Sequence, residues 1–521
     1  MRIFELVIAL SLVGAVLSLW AAQLRLPYPT LLAVAGAALA LFPGVPELTL
    51  DPELALALFV SPVLLDAAYD ASPRDLRHNL TSVASLALGA VSCTIIAVAV
   101  IARAMVPDLG WAAAITLGAI VAPPDASAAT AVLRQLRLPH RLLVILEGES
   151  LFNDATALLV YRIAAAAAVT GTLTGWNIAV MLTLTWGGGI VLGIVLARIY
   201  MRLMLRIEHI SISIILQFVS TFSVWIAAEH LGLSAILAVV SYAMVVAREA
   251  PGSLGARRRI ASYAVWEVAV FLLNVLAFVM IGLQLRAIAG RLDASEWRVY
   301  GLCAAAVCVT VIVTRFAWVT AHNLTARWWQ SRRHAMASGD RGSKWGSTLV
   351  VSWSGMRGIV SLATALALPV GAEGSFPFRD LILLCAFAVV LTTLVVQGLT
   401  LGWLIKRVGL QDDGAVDREV GLARAETARV ALRLLAQQPS VPAALQEEYE
   451  ARLRSGESES AGAPPAGLPD IIVTQRELVS AQRQALLDLR AQHRIGDDAF
   501  HVAEEELDLL DLTADPRIRP V

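Results

Sequence analysis

Long apolar runs, separated by short polar segments, occupy the chain from its start to about residue 407. About 20 apolar residues in an α-helix cross the roughly 30 Å of hydrocarbon in a bilayer, so runs of this length predict membrane-spanning helices. We predict thirteen such spans in this part of the chain. Their ranges are 3–22, 28–43, 53–70, 79–104, 111–134, 141–169, 177–200, 211–230, 232–248, 262–287, 297–321, 346–368 and 379–405.

Composition divides the chain into two domains. It is 57% hydrophobic and only 16% charged, whereas soluble domains are typically about 25% charged. Residues 1–407 hold 29 Lys and Arg against 21 acidic residues, but the rest of the chain holds 12 Arg and 21 acidic residues. We therefore predict a basic membrane domain at 1–407 and an acidic, helical tail at 408–521. The tail is predicted to have helices at 415–437, 441–455, 471–493 and 497–512, and a flexible linker near 455–469.

The charge of the loops predicts the orientation. With the amino terminus outside, about 20 basic residues fall in inner loops and about six in outer loops, as the positive-inside rule requires. An odd number of spans then places the tail in the cytoplasm of a multi-pass protein of the cell membrane. The same rule accounts for the basic loop at 327–344, so no nucleic-acid partner is expected.

Two predicted spans carry polar residues at depths where lipid disfavours them. The fifth contains PPDA at 123–126, and the sixth contains GESLFND at 148–154. A charge at the bilayer centre costs about 2.5–3.5 kcal/mol on insertion scales. Adjacent prolines remove backbone donors, so the fifth helix should unwind there, and its freed carbonyls must line a cavity or bind an ion. Broken helices of this kind form cation sites in secondary transporters.

Helical spacing separates the polar residues of the sixth span into two faces. Ser150 and Asp154 share one face, and Glu149 and Asn153 share another about 100° away. Asp154 and Pro124 each lie 13 residues into antiparallel spans, which places both roughly 20 Å deep at 1.5 Å per residue. A hard cation prefers oxygen ligands, and a desolvated carboxylate binds a proton readily. If a cation and a proton compete for Asp154, the site can exchange one for the other.

Other charged residues in the predicted spans need partners or a role. Arg357 lies in the twelfth span and requires a carboxylate partner; Glu149 is our candidate, since Asp154 must stay available for the ion. Asp66 lies in the inner half of the third span. Asp125 either caps the second half of its broken helix or belongs to the site. Arg315 is expected to extend toward the membrane surface.

These motifs resemble the monovalent cation:proton antiporter family of bacterial NhaP-type and animal sodium/proton exchangers. The resemblance rests on GESLFND at 148–154, LLDAAY at 64–69, GMRG at 355–358 and FLLN at 271–274, and it covers residues 1–407. It implies an all-α polytopic membrane protein with about 13 transmembrane helices, inverted repeats and a broken helix at the ion site. It also implies a homodimer in a bacterial inner membrane.

The resemblance also implies roles for individual residues. Asp154 would alternate between cation and proton, with further ligands from Ser150, Asp66 and the backbone carbonyl near Pro124. Glu149 and Arg357 would form a structural ion pair, and Asn153 would brace the broken helix. The family commonly has Thr-Asp-Pro at the break, where this chain has PPDA at 123–126 without the threonine hydroxyl.

An asparagine before the aspartate and an arginine in the late helix are typical of electroneutral family members. We therefore expect exchange of one Na⁺ for one H⁺ without a cofactor. K⁺ or Li⁺ in place of Na⁺ is one alternative, and K⁺/H⁺ exchange regulated by the tail is another. In a different class, a cation channel or a membrane sensor remains open, although no pore-loop repeat is visible. No nucleophile–base pair or metal-ligand set indicates an enzyme.

Overall fold

The protein is described by a computed structural model. It describes residues 2–24, 26–40, 52–125, 138–170, 175–289, 294–333, 341–369, 376–410, 412–438 and 443–462, with isolated positions at 129, 133 and between 478 and 492. Every regular element in these ranges is helical, which confirms the predicted all-α fold. The chain divides into two compact units, Met1–Gln411 and Asp412–Val521.

Fifteen labelled helices build the first unit within the described ranges. Three of them contain a π-helical turn, at Leu56–Val60, Ser85–Ala90 and Thr393–Gln397. The helices are α1 Arg2–Leu24, α2 Tyr28–Ala40, α3 52–70, α4 Pro73–His78, α5 Leu80–Met105, α6 Trp111–Val121, α7 His140–Thr170, α8 Gly175–Met204, α9 Ile210–His230, α10 Ala235–Ser253, α11 Ala256–Ala289, α12 Ala294–Arg333, α13 Arg341–Trp353, α14 Ile359–Leu366 and α15 Arg379–Val408.

Length and apolar character mark six of the described helices as able to cross a membrane. They lie in α5, α8, α9, α11, α12 and α15, and shorter apolar helices occur at Ile8–Ala21, Tyr28–Ala40 and Trp111–Val121. All lie within or close to predicted spans. The total of thirteen spans stays a prediction.

Two helices of the first unit are interrupted. α6 ends at Val121 and residues 123–125 are not helical, as the two prolines predict. The second interruption was not predicted: α13 ends at Trp353, and α14 begins only at Ile359 after a non-helical segment at 355–358. The predicted twelfth span is therefore two helices rather than one.

α7 lies between two hydrophobic clusters. Its residues Ile145, Ala157 and Tyr161 belong to a cluster built with α2, α5, α6 and α11–α15. Leu151 and Ala155 belong to a second cluster, built with α3 and α8–α11. The polar segment at 148–154 therefore lies where the two packed groups of helices meet.

The second unit contains α16 Ala415–Leu435 and α17 Ala443–Ser460, which are joined by ion pairs such as Arg424–Glu459 at 2.8 Å. The predicted linker at 455–469 is wrong at its start, because α17 continues to Ser460. Residues 463–470 lie outside the described ranges, as do nearly all residues of the helices predicted at 471–493 and 497–512.

Candidate ion site at two helix breaks

The interruptions of α6 and of α13–α14 lie against each other. The backbone N–H of Asp125 donates to the carbonyl of Met356, with an N···O distance of 2.6 Å. Each partner belongs to a segment that has left its helix and so lacks helical hydrogen bonds. The contact therefore satisfies backbone groups that both breaks would otherwise leave unpaired.

Arg357 compensates the carbonyl end of α6. Its Nε donates to the carbonyl of Val121 at 3.1 Å and its Nη2 to that of Ala122 at 3.3 Å, while Nη1 donates to the carbonyl of Gly355. The side chain is 1% exposed. The carboxyl end of a helix carries partial negative charge, so a guanidinium placed there is stabilised. The break thus explains why an arginine can be buried in this apolar region.

Asp125 lies at the opposite kind of helix end. Its carboxylate packs against Gly358, the residue that precedes α14, and a Cβ built on Gly358 would lie 1.7 Å from Oδ2 of Asp125. Helix amino termini favour negative charge. From the sequence, Asp125 was expected either to cap the second half of its own helix or to belong to the ion site. Residues 126–128 lie outside the described ranges, and the described contact is with the other broken helix.

Asn153 connects α7 to the first break. Its Nδ2 donates to the carbonyl of Pro124 at 2.8 Å, and the side chain is fully buried. Part of the carbonyl capacity of Pro124 is therefore used by Asn153, although a carbonyl oxygen has two lone pairs.

Asp154 is a buried carboxylate beside these breaks. It is 6% exposed, and its charge lies within electrostatic reach of Asp125. No described residue forms a hydrogen bond or an ion pair with its carboxylate. Ser150 lies one turn earlier on α7 and is half-buried. The helix therefore presents, on one face, a hydroxyl and a carboxylate that no described side chain neutralises.

Asp66 comes from a separate helix, α3, and is half-buried. The hydroxyl of Tyr28, at the start of α2, lies within electrostatic reach of both Asp66 and Asp125. The structure thus brings Asp66 toward the region of the first break, without showing it beside Asp154.

Glu149 does not pair with Arg357, so that expectation is wrong. Among the described residues its partner is Arg315 on α12, whose Nη1 and Nη2 donate to Oε1 and Oε2 at 2.6 and 2.9 Å. Both side chains are at most 3% exposed. The expectation that Arg315 extends toward the membrane surface is also wrong. Its Nη2 donates to the carbonyl of Val351 at 3.2 Å, near the end of α13.

Apart from Asp66, four of the described charged groups around the breaks balance one another. Arg315 is neutralised by Glu149, whereas Arg357 lies at the carboxyl end of α6 and Asp125 at the amino end of α14. These four groups carry two positive and two negative charges. The ionised form of Asp154 therefore leaves one uncompensated negative charge among these five, which one monovalent cation or one proton would neutralise.

Two interrupted helices that meet beside a buried carboxylate, within a bundle of membrane-length apolar helices, define the class: an ion-coupled membrane transporter. The family described as sodium/hydrogen exchanger, transmembrane, matches residues 7–407. The chain belongs to this family, and the resemblance drawn from its motifs is confirmed. The family is one of transporters.

Relatives extend this likeness. An uncharacterized Na⁺/H⁺ exchanger of Mycobacterium tuberculosis is 31% identical over 97% of this chain and 96% of its own length. The Na⁺/H⁺ antiporter ApNhaP of Aphanothece halophytica is 30% identical over 84% of this chain and 81% of its own. A sodium, potassium, lithium and rubidium/H⁺ antiporter of Bacillus pumilus is 30% identical over 82% of this chain and 66% of its own.

A solved structure has the same fold. The sodium proton antiporter MjNhaP1 from Methanocaldococcus jannaschii superposes with a TM-score of 0.60, over 78% of this chain and 99% of that one. The two sequences are 17% identical, so the likeness concerns the fold alone.

Proposed function

We propose that this protein exchanges Na⁺ for H⁺ across a membrane, and that cation and proton compete for the carboxylate of Asp154. Alternating access of Asp154 to the two sides would couple the two flows. Because the carboxylate is left with one charge to neutralise, it takes either one Na⁺ or one H⁺ in each state. The proposed exchange is therefore electroneutral.

The cation would need several oxygen ligands to replace its hydration shell. Ser150 supplies a hydroxyl one turn from Asp154 on α7. The Pro124 carbonyl retains a second lone pair beside the bond from Asn153. Asp66 adds a half-buried carboxylate from α3, and Asp125 would act on the cation through its charge. Arg315, Arg357, Glu149 and Asn153 would support the site rather than bind the ion.

The observation that carries this proposal is the burial of Asp154 without a neutralising partner among the described residues. A permanently charged carboxylate in a site of low polarity is costly, so it persists where it binds an ion or a proton. The neighbouring Glu149 is as deeply buried but has a bidentate arginine partner. The contrast between these two acidic residues of one helix supports an exchanging role for Asp154 and a structural role for Glu149.

Proton movement in everted membrane vesicles tests the proposal. A pH-sensitive dye should report release of protons from acid-loaded vesicles when Na⁺ is added, and Asp154→Asn should abolish that signal because the amide can neither release a proton nor neutralise a cation. Glu267→Gln is the matched control, since Glu267 is an exposed acidic residue on α11. Normal exchange by Asp154→Asn would refute the assignment of Asp154.

Stoichiometry and ion choice need separate measurements. In reconstituted vesicles, electroneutral exchange should proceed at the same rate whatever potential a K⁺ gradient with valinomycin imposes. A transport current that depends on this potential would contradict it. Substituting K⁺ or Li⁺ for Na⁺ in the dye assay ranks the ions. The name of the Bacillus pumilus relative, which covers four alkali cations, supports testing all of them.

We further propose a bacterial inner-membrane location, with the amino terminus outside and residues from 408 onward in the cytoplasm. The distribution of basic residues supports this orientation. Proteolysis of everted vesicles should remove the tail, whereas proteolysis of intact spheroplasts should not. We also propose a homodimer, which chemical cross-linking in native membranes should detect at twice the mass of 55.6 kDa.

A further inference from the structure

Thr393 on α15 makes an unusual set of contacts for a buried threonine. It is fully buried and begins the π-helical turn at Thr393–Gln397. Its hydroxyl donates to the carbonyl of Val389 at 2.8 Å, as helical threonines often do. The same oxygen accepts the backbone N–H of Arg357 at 3.0 Å. The hydroxyl therefore links its own helix to the second break.

The accepted N–H belongs to the peptide group that also contacts the first break. A peptide group consists of the carbonyl of one residue and the N–H of the next, held in one plane. Here the carbonyl of Met356 accepts the N–H of Asp125 at 2.6 Å, and the N–H of Arg357 donates to Thr393. The Met356–Arg357 peptide group is thus hydrogen-bonded to Thr393 through its N–H and to Asp125 through its carbonyl.

This chain of hydrogen bonds connects α15 to the first break. The peptide lies outside any helix, so no helical hydrogen bond fixes its rotation. Without an acceptor for the N–H of Arg357, the peptide could turn and weaken its bond to Asp125. π-helical turns inside α-helices frequently occur at functional sites, and this one begins at the residue that supplies the acceptor.

We propose that Thr393 is a positioning residue for the cation site. It fixes the Met356–Arg357 peptide, which fixes the backbone of Asp125 and with it the break that faces Asp154. This inference rests on the proposed Na⁺/H⁺ exchange. It assigns to α15 a role in Na⁺ affinity, although Thr393 itself does not bind the ion.

Thr393→Val tests the inference, because valine keeps the shape of the side chain and removes only the hydroxyl. Loss of one buried hydrogen bond should raise the apparent KM for Na⁺ roughly 5- to 20-fold. The maximal rate should stay within about twofold, because the proton-exchanging group is unchanged. Thr393→Ser restores the hydroxyl and should restore the KM. Thr393→Ala, which removes the same hydroxyl, should reproduce the rise if the valine variant does not fold.

Thr94 provides the matched control. It is 2% exposed, and its hydroxyl donates to the carbonyl of Ala90 at 2.7 Å on its own helix, α5. Thr94→Val therefore removes the same kind of local bond without touching either break. Its KM for Na⁺ should equal that of the wild type, even where its thermal midpoint falls as far as that of Thr393→Val.

The outcomes separate this inference from the function on which it rests. If the wild type shows no Na⁺-driven proton movement, both the proposed exchange and the role of Thr393 are refuted. If the wild type and Thr94→Val exchange Na⁺ normally and Thr393→Val does so with an unchanged KM, only the role of Thr393 is refuted. A rise in KM that Thr393→Ser fails to reverse would also refute it, because the hydroxyl would not be the cause.

Discussion

The ion pair between Glu149 and Arg315 yields a quantitative prediction. It has two charge-assisted hydrogen bonds, of 2.6 and 2.9 Å, between side chains that are at most 3% exposed. Such bonds contribute about 1.5–3 kcal/mol each, and breaking a buried pair costs about 3–5 kcal/mol. Glu149→Gln leaves Arg315 charged and buried, with one neutral amide oxygen in place of the two carboxylate oxygens beside the carbonyl of Val351. We expect it to lower the free energy of unfolding by about 3 kcal/mol.

A double-mutant cycle measures the interaction directly. Unfolding by sodium dodecyl sulfate in mixed micelles, followed by tryptophan fluorescence, gives the free energy for each variant. Replacing both residues, as Glu149→Leu with Arg315→Met, removes the stranded charge and should cost less than the two single changes added together. The expected coupling energy is about 3 kcal/mol.

The parallel cycle between Glu149 and Arg357 is the control. Arg357 donates to the backbone carbonyls of Val121, Ala122 and Gly355 and lies within electrostatic reach of Glu149 without a hydrogen bond to it, so its coupling with Glu149 should be smaller than that of Arg315. Coupling to Arg357 equal to or larger than that to Arg315 would refute the pairing described here.

Two further predictions concern the break and the surface near α4. Gly358→Ala should abolish Na⁺-driven exchange, because its Cβ would lie 1.7 Å from Oδ2 of Asp125, whereas Gly255→Ala, with no atom within 4 Å, should exchange normally. Equal activity of these variants would contradict the packing. Asp75 lies outside the predicted spans. Burial acts to raise its pKa, but hydrogen bonds, of which that with His140 is the largest contributor, outweigh burial and leave the pKa lowered. Ionised Asp75 therefore stabilises the folded protein. This stabilisation is complete at a pH above the pKa of Asp in the unfolded chain, about 3.9, and is lost as the pH falls through the lower pKa of the folded state. The destabilisation caused by Asp75→Asn, followed as the thermal midpoint, should therefore vanish in strong acid; a constant difference would contradict it.

Much of the fold could be predicted from hydropathy. α7 and α9 begin and end within one residue of the predicted sixth and eighth spans. The first break was predictable because proline has a local, context-free effect on a helix. The second was missed because residues 354–358 lie inside an apolar run without proline. The available signal for this second break was the pair of glycines that flank a methionine and an arginine at 355–358.

The candidate site was predicted in its residues but not in its pairing. Spacing within one helix placed Ser150 with Asp154 and Glu149 with Asn153, since helical geometry depends only on local sequence. The choice of arginine partner for Glu149 depends on how α12 and α13 pack against α7. This packing cannot be predicted from local sequence. Arg315 is a single arginine in an apolar run, and we therefore predicted that it extends to the membrane surface. It is instead one of the most deeply buried charges described.

The position of α7 between the two hydrophobic clusters has a mechanical consequence. A helix that packs into both groups cannot follow a displacement of one without sliding along the other, so relative motion becomes shear along α7. Ala155 faces one cluster and Ala157 the other, and their small side chains leave shallow ridges that oppose sliding little. Beyond them, Arg162 on α7 pairs with Glu229 on α9 at 2.7 Å. The helix that carries Asp154 therefore has two attachments: Glu149 and Asn153 bond its middle to the first group of helices, and Arg162 pairs its far end with the second group.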